Sequence, residues 1–187
     1  MTAPRKPTPA EVQAAVGKPV PDLIAPDLKI LFCGINPSLY SAAVGHHFAR
    51  PGNRFWPTLH AAGFTERLFS PFEDEKLLQL GYGLTNIADG ATARADEVDP
   101  AALARGQQSL AIKVQRYRPR FLAVLGIGAY RTAFKQRRAT MGRQEQSLHD
   151  ATIWVLPNPS GLNAHYQLQD LQQIYRALLM AISPDQL

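Results

Sequence analysis

The sequence predicts an α/β fold: a single three-layer α/β/α domain around a short, mostly parallel central sheet. Three observations carry that reading. Four short, nearly continuous apolar runs rich in branched or aromatic residues read as strands. Segments with helical spacing separate them, and alternating strands and helices pack as a parallel sheet covered on both faces. The chain has 187 residues, 45% hydrophobic and 19% charged, enough to bury one sizeable core.

In chain order, residues 1–24 are rich in proline and basic groups with few large apolar side chains. They are expected to form a flexible basic arm, with a short helix around Ala10 to Val16. The domain is assigned to residues 25–187. Its first strand, Ile30 to Gly34, is apolar throughout, as a strand buried on both faces must be. Helical spacing follows over Asn53 to Ala62, where Asn53 can serve as N-cap, and over Phe72 to Leu80. The second strand is Gly83 to Ile87. A helix over Pro100 to Tyr117 leads to the third strand, Phe121 to Leu125. A helix over Gly128 to Arg138, a strand over Ile153 to Leu156 and a helix over Leu168 to Ile182 complete the pattern.

Composition narrows the function. Lys and Arg number 20 against 15 Asp and Glu, a formal charge of +5, and the pI is near 9.6, so the surface attracts polyanions such as nucleic acid. The lone cysteine, Cys33, sits in an apolar run, so an internal disulfide and a multi-cysteine metal site are excluded and an inert buried thiol is expected. No segment approaches the length of an apolar membrane span, and the first residues lack the apolar stretch of a secretory signal. A cytoplasmic protein is expected, nucleoid-associated if bacterial. Neither a Walker-type run nor a Gly-x-Ser-x-Gly elbow is present, which excludes the commonest phosphate-binding hydrolase and α/β-hydrolase patterns.

In open α/β sheets ligands collect beyond the carboxyl ends of the strands. Three strand exits carry unusual sequence there: Gly34-Ile35-Asn36-Pro37-Ser38, Asn86-Ile87-Ala88-Asp89-Gly90 and Pro157-Asn158-Pro159-Ser160-Gly161-Leu162. Asn36, between a strand and a proline, either bonds the backbone at its turn or presents a fixed amide to a water and a ligand edge. The stretch Gly45 to Trp56 mixes aromatics with arginines, a combination that suits stacking on a base and contact with phosphate. Phe55 and Trp56 can equally be core. His46 and His47 are adjacent, project differently and have no third ligand nearby, so no metal is expected. Leu162 stands in an otherwise small and polar loop; it either tucks against the following helix or meets something apolar, such as the interior of a base stack. Ser160 and its neighbouring amides suit a phosphate.

These motifs resemble those of the mismatch-specific uracil-DNA and thymine-DNA glycosylases, a branch of the uracil-DNA glycosylase superfamily. The resemblance runs from about Ala25 to Ala181 with the motifs in the same order. It implies that Asn36 positions the attacking water, with Ile35 and Ser38 as pocket wall beside it and Ser41 as a pocket serine. Phe48 would stack on the flipped base. Leu162 would be the wedge that fills the vacated stack, with Gly161 and Asn163 facing the orphaned guanine and Asn158 and Ser160 on the DNA. The sequence departs from the pattern at Ser38, where glycine is common, at Asn86, where lysine occurs, and at Ala164, where arginine is frequent.

The function expected is therefore removal of uracil, especially opposite guanine, and possible related bases from double-stranded DNA by hydrolysis of the N-glycosidic bond. The protein would act as a monomer without cofactor or metal. The alternative is a catalytically inactive DNA- or nucleotide-binding module on the same sheet. A neutral amide orients water but accepts protons poorly, so Asp89 or Asp96 is expected to assist as an auxiliary carboxylate, each having the alternative of a solvated loop position. Asp96 is preferred, because relatives can carry asparagine there.

Overall fold

A computed structural model of the chain describes residues 5–182. Positions 1–4 of the expected arm and 183–187 of the expected domain lie outside the described residues. Five strands form one sheet: β1 (Ile30–Gly34), β2 (Tyr82–Asn86), β3 (Phe121–Leu125), β4 (Gly142–Leu148) and β5 (Ala151–Leu156). Their order is β2-β1-β3-β5-β4, with all neighbours parallel except the β4–β5 pair. Among the described residues seven α-helices accompany it: α1 (Pro9–Gln13), α2 (Leu39–Val44), α3 (Phe55–Ala62), α4 (Lys76–Gln79), α5 (Pro100–Tyr117), α6 (Ile127–Ala133) and α7 (Leu168–Ile182).

Alternation along each strand divides the core in two. Ile30 and Phe32 face one layer with α3 and α7, while Leu31 and Cys33 face the other with α5 and α6. Every β1 residue is buried, because both layers cover it. Helix α7 inserts Leu171, Tyr175, Leu178 and Ile182, spaced for a single helical face. Helix α5 starts where Asp99 caps Ala101 N–H at 2.9 Å and Pro100 occupies the first turn; it buries Leu103, Leu110 and Val114 against the sheet. Burying one such leucine stabilises the fold by about 1.5–3 kcal/mol before the entropy of ordering it is counted.

The α/β architecture, its parallel sheet and its helices on both faces agree with expectation. Four local readings differ. β4 lacks an apolar signal because it is a polar edge strand, GRQEQSL, irregularly paired between Arg143 and Ser147. The helix expected over 72–80 divides into a 3-10 turn at Pro71–Glu73 and the short α4, and the helix expected to reach Arg138 ends at Ala133. The segment expected as a flexible arm is folded onto the domain from Arg5 onward: Ala15 is fully buried, and Leu23 exchanges two backbone hydrogen bonds with Leu84 on the free edge of β2. Composition alone misses this docking, because only a few small or medium side chains and the backbone make it.

Candidate active site

The chain leaves β1 toward β2 on one side and then crosses to β3 on the other, so the topology reverses at β1. A crevice at such a reversal is the usual ligand position in an open α/β sheet. Here it is a narrow cleft lined by the ends of β1, β2, β3 and β5, by residues 92–95, and by His47, Phe48, Arg50 and Asn53.

Asn36 is among the residues that line it. Its Nδ2 donates to Pro37 O and Gly90 O, each at 3.1 Å, and to Thr92 Oγ1 at 2.8 Å. Two of these partners are carbonyls, which only accept, so the amide nitrogen must face them and the flip of the amide is determined. The nitrogen is used up inside the protein. Oδ1, with no partner among the described residues, is the acceptor left for the cleft. Of the two uses of Asn36 open in the sequence, the turn takes the nitrogen, and the oxygen is left without a partner among the described residues. Hydrogen bonds from Ile87 N to Gly34 O, from Ala88 N to Ile35 O and from Thr92 N to Pro37 O stitch the two strand exits together around it.

The register of β1 with β2 sets Asn86 opposite Gly34. A Cβ on Gly34 would lie 2.4 Å from Asn86 Oδ1 and 3.2 Å from Phe48 Cζ, so only glycine lets the amide and the ring close over the strand end. Phe48 has φ of +54°, a strained value for a bulky residue. Its turn is held by Ala49 N–H donating to the buried Ser41 Oγ, which Ser38 Oγ also reaches. One face of the Phe48 ring stacks on Phe55 at 4.1 Å, leaving the other for the cleft. Below, His47 Nε2 lies 3.0 Å from Pro21 O, which can only accept; Nε2 therefore carries the proton, and Nδ1 is left to accept from Asn86 Nδ2 at a long 3.5 Å. Burial lowers the imidazole's pKa, so it is neutral near pH 7.

The loop after β5 forms the opposite rim. Asn158 Oδ1 accepts from Ser160 N at 3.0 Å, Asn163 Nδ2 donates to Asn158 O at 3.0 Å, and Ser160 Oγ accepts from Leu162 N at 3.3 Å. The loop is braced from outside by Arg54, whose guanidinium donates to Tyr166 O, to Ser160 O at 2.7 Å and to Asn163 O at 2.8 Å. Held this way, Leu162 is 61% exposed and lines the cleft mouth. Asn36 and Leu162 therefore face one cavity.

A sequence profile of the Uracil DNA glycosylase superfamily matches residues 21–179. The chain belongs to this superfamily. A Methanosarcina acetivorans protein, solved by solution NMR and assigned provisionally to the uracil DNA glycosylases, superposes with a TM-score of 0.56 over 88% of this chain and 99% of its own. At 18% identity that likeness shows the shared fold.

In this superfamily member the cleft gathers most of the residues singled out from sequence: Ile35, Asn36, Ser38, Ser41, Phe48, Asn86, Asn158, Ser160 and Leu162 all line it. Four do not. Gly161 packs on the neighbouring loop, where a Cβ would lie 2.4 Å from Gly52 O. Asn163 lines the adjoining groove, with its amide occupied by Asn158 O and His165 N. Asp89 is exposed and lines a separate depression near α5. Asp96 lies on a 3-10 turn outside the cleft with its side chain 65% exposed, paired with Arg94 at 2.7 Å, and hydrogen bonding from that guanidinium holds its pKa below the usual range. No carboxylate lines the cleft among the described residues.

Thr92 carried no signal in the sequence, whereas Gly34, His47 and Arg54 stood within the marked stretches without the roles found here; Arg54, in a stretch expected to contact phosphate, turns its guanidinium to loop carbonyls instead. His46 and His47 diverge as expected, His46 to Asp74 at 3.0 Å and His47 to Pro21 O. Among the described residues no group of three or more His, Cys, Asp or Glu is disposed to hold a metal. No described helix is long and apolar enough to cross a membrane. Cys33 is buried, and burial raises its thiol pKa, which suits a packing role.

Proposed function

We propose that the protein is a monofunctional glycosylase that takes uracil, and above all uracil opposite guanine, out of duplex DNA and hydrolyses its bond to the sugar. The observation that carries this reading is the locked Asn36 amide, with its oxygen free, in the same cleft as the exposed Leu162. In the reaction Asn36 Oδ1 accepts a hydrogen bond from water and aims its oxygen at the anomeric carbon. The water oxygen bonds to that carbon, the glycosidic bond breaks, and its electron pair leaves with the base, which ends with the proton the water loses. Phe48 stacks on the extruded base, and Asn86 meets its polar edge. Leu162 enters the stack and offsets part of the few kcal/mol that extrusion costs. Among the described residues no lysine lines the cleft, which supports water as nucleophile and an abasic site as product.

Asp96 is proposed as the auxiliary carboxylate over Asp89. Its neighbours Arg94 and Ala95 line the cleft, and a DNA phosphate that took Arg94 would free Asp96 beside the mouth. The deciding experiment is release of free uracil from a duplex with one G·U pair, compared with A·U and with the single strand. Asn36→Ala is expected to slow release by about a hundredfold or more while leaving duplex binding in place. Retention of the duplex by the wild-type protein without release of base would make it a binding module.

A further inference from the structure

The loop that holds the Asn36 amide is itself held from behind, and we propose that residues Gly17–Pro21 are a positioning element of the active site. This rests on the reading of Asn36 as the residue that orients water.

Two of the three acceptors on Asn36 Nδ2, Gly90 O and Thr92 Oγ1, flank Ala91. Ala91 is buried and bracketed by the N-terminal segment: Gly17 N–H donates to its carbonyl at 2.9 Å, and its own N–H donates to Lys18 O at 3.1 Å. The two residues beyond Pro19 serve the other pocket amide. Val20 is buried in the cleft wall, and Pro21 O accepts a hydrogen bond from His47 Nε2–H, which leaves Nδ1 facing Asn86. Two amides from separate strands thus take their orientation, each through one intermediary, from a single five-residue stretch.

That stretch is tied down at both ends. On the N-terminal side, α1 begins in a capping box between Thr8 and Glu11, and Ala15 is fully buried. On the C-terminal side, Asp22 accepts from Thr85 Oγ1 at 2.7 Å and pairs with Lys113 Nζ at 2.6 Å, and Leu23 pairs with Leu84. The superfamily match begins at residue 21, so Gly17 to Val20 precede the matched region. Backbone bonds to a catalytic loop act through geometry: releasing Ala91 lets Gly90 and Thr92 drift, and the Asn36 amide loses the acceptors that define its flip. A displacement on the order of 1 Å at such a group slows chemistry by about a hundredfold.

The test uses the full chain. Gly17→Pro removes the N–H and cannot adopt the φ of +73° found there, whereas Gly17→Asn keeps the N–H and tolerates that φ. Three quantities are read: single-turnover uracil release from a G·U duplex, the Kd for that duplex, and solvent exchange of the Asn36 side-chain NH2 by 15N NMR. Gly17→Pro is expected to slow release by about tenfold to a hundredfold with Kd within about twofold, and to speed exchange at Asn36; Gly17→Asn is expected to restore all three. Should Gly17→Pro fail to fold, Ala15→Asp, which puts a carboxylate at a fully buried position two residues before Gly17, is expected to give the same pattern. Wild-type release with an unshifted Asn36 resonance in a folded variant overturns the proposal, as does equal loss of release and binding. A wild-type protein that releases no uracil defeats the functional reading instead, and the Asn36 resonance still decides this one.

Discussion

Asn36 divides its chemistry between its two ends: the nitrogen is consumed by Pro37, Gly90 and Thr92, so the oxygen has one orientation available. Its prominence was legible in the sequence because a polar residue between a buried strand and a proline has few conformations. Its partners were not, since Gly90 and Thr92 lie 54 and 56 residues away along the chain. Asp96 illustrates the reverse case. Its residue type suggested chemistry, but Arg94, two positions before it, supplies a local exposed partner that removes it from the cleft. If DNA phosphate draws Arg94 away, Asp96→Asn is expected to slow uracil release without weakening duplex binding, while Asp89→Asn is expected to leave the rate unchanged. Single-turnover kinetics on the two variants separates them; unchanged rates in both remove an auxiliary carboxylate from the mechanism.

Among the elements, the loop over Asn158 to Tyr166 depends on an arginine from the start of α3. Arg54 donates from Nη1 and Nη2 to three carbonyls of that loop while its buried Nε has no partner among the described residues, and its backbone N–H donates to Pro159 O at 3.0 Å. Arg54→Ala would leave several carbonyls without a donor; a loss of about 2–3 kcal/mol is expected in denaturant unfolding. If Leu162 is a wedge, Arg54→Ala should also weaken activity on duplex DNA, because the loop that carries Leu162 is no longer braced. Leu162→Ala separates the two effects. The side chain is exposed, so the free protein's stability should change by less than about 0.5 kcal/mol. Release from duplex should fall more than release from single strands, and an equal fall would argue against a wedge. The buried strands were readable from their apolar runs, whereas β4 was not, because an edge strand with polar side chains carries its pairing in the backbone.

Across the whole molecule, the N-terminal segment, the β1–β2 exits and the histidine beneath them form one connected unit, which ties fold stability to the site. Burial lowers the pKa of His47, so between its folded value and the ordinary value of 6.5 the unfolded chain binds more protons than the folded one. Stability from this group is accordingly full above pH 6.5 and is lost as pH falls below it. Thermal unfolding from pH 7.5 to 5.5 should therefore show a drop in wild type that is smaller in His47→Asn; parallel curves would exclude His47 as the source. Residue order was enough to specify the layered α/β class and to mark the strand exits, because burial on two faces and helical spacing are local properties of a chain. The docking of residues 5–24, the bracket on Ala91, the grip of Arg54 and the exclusion of both aspartates from the cleft required the folded coordinates. Each depends on backbone groups or on partners distant along the chain, and a hydrogen bond to a carbonyl leaves no mark on the identity of the residue that supplies it.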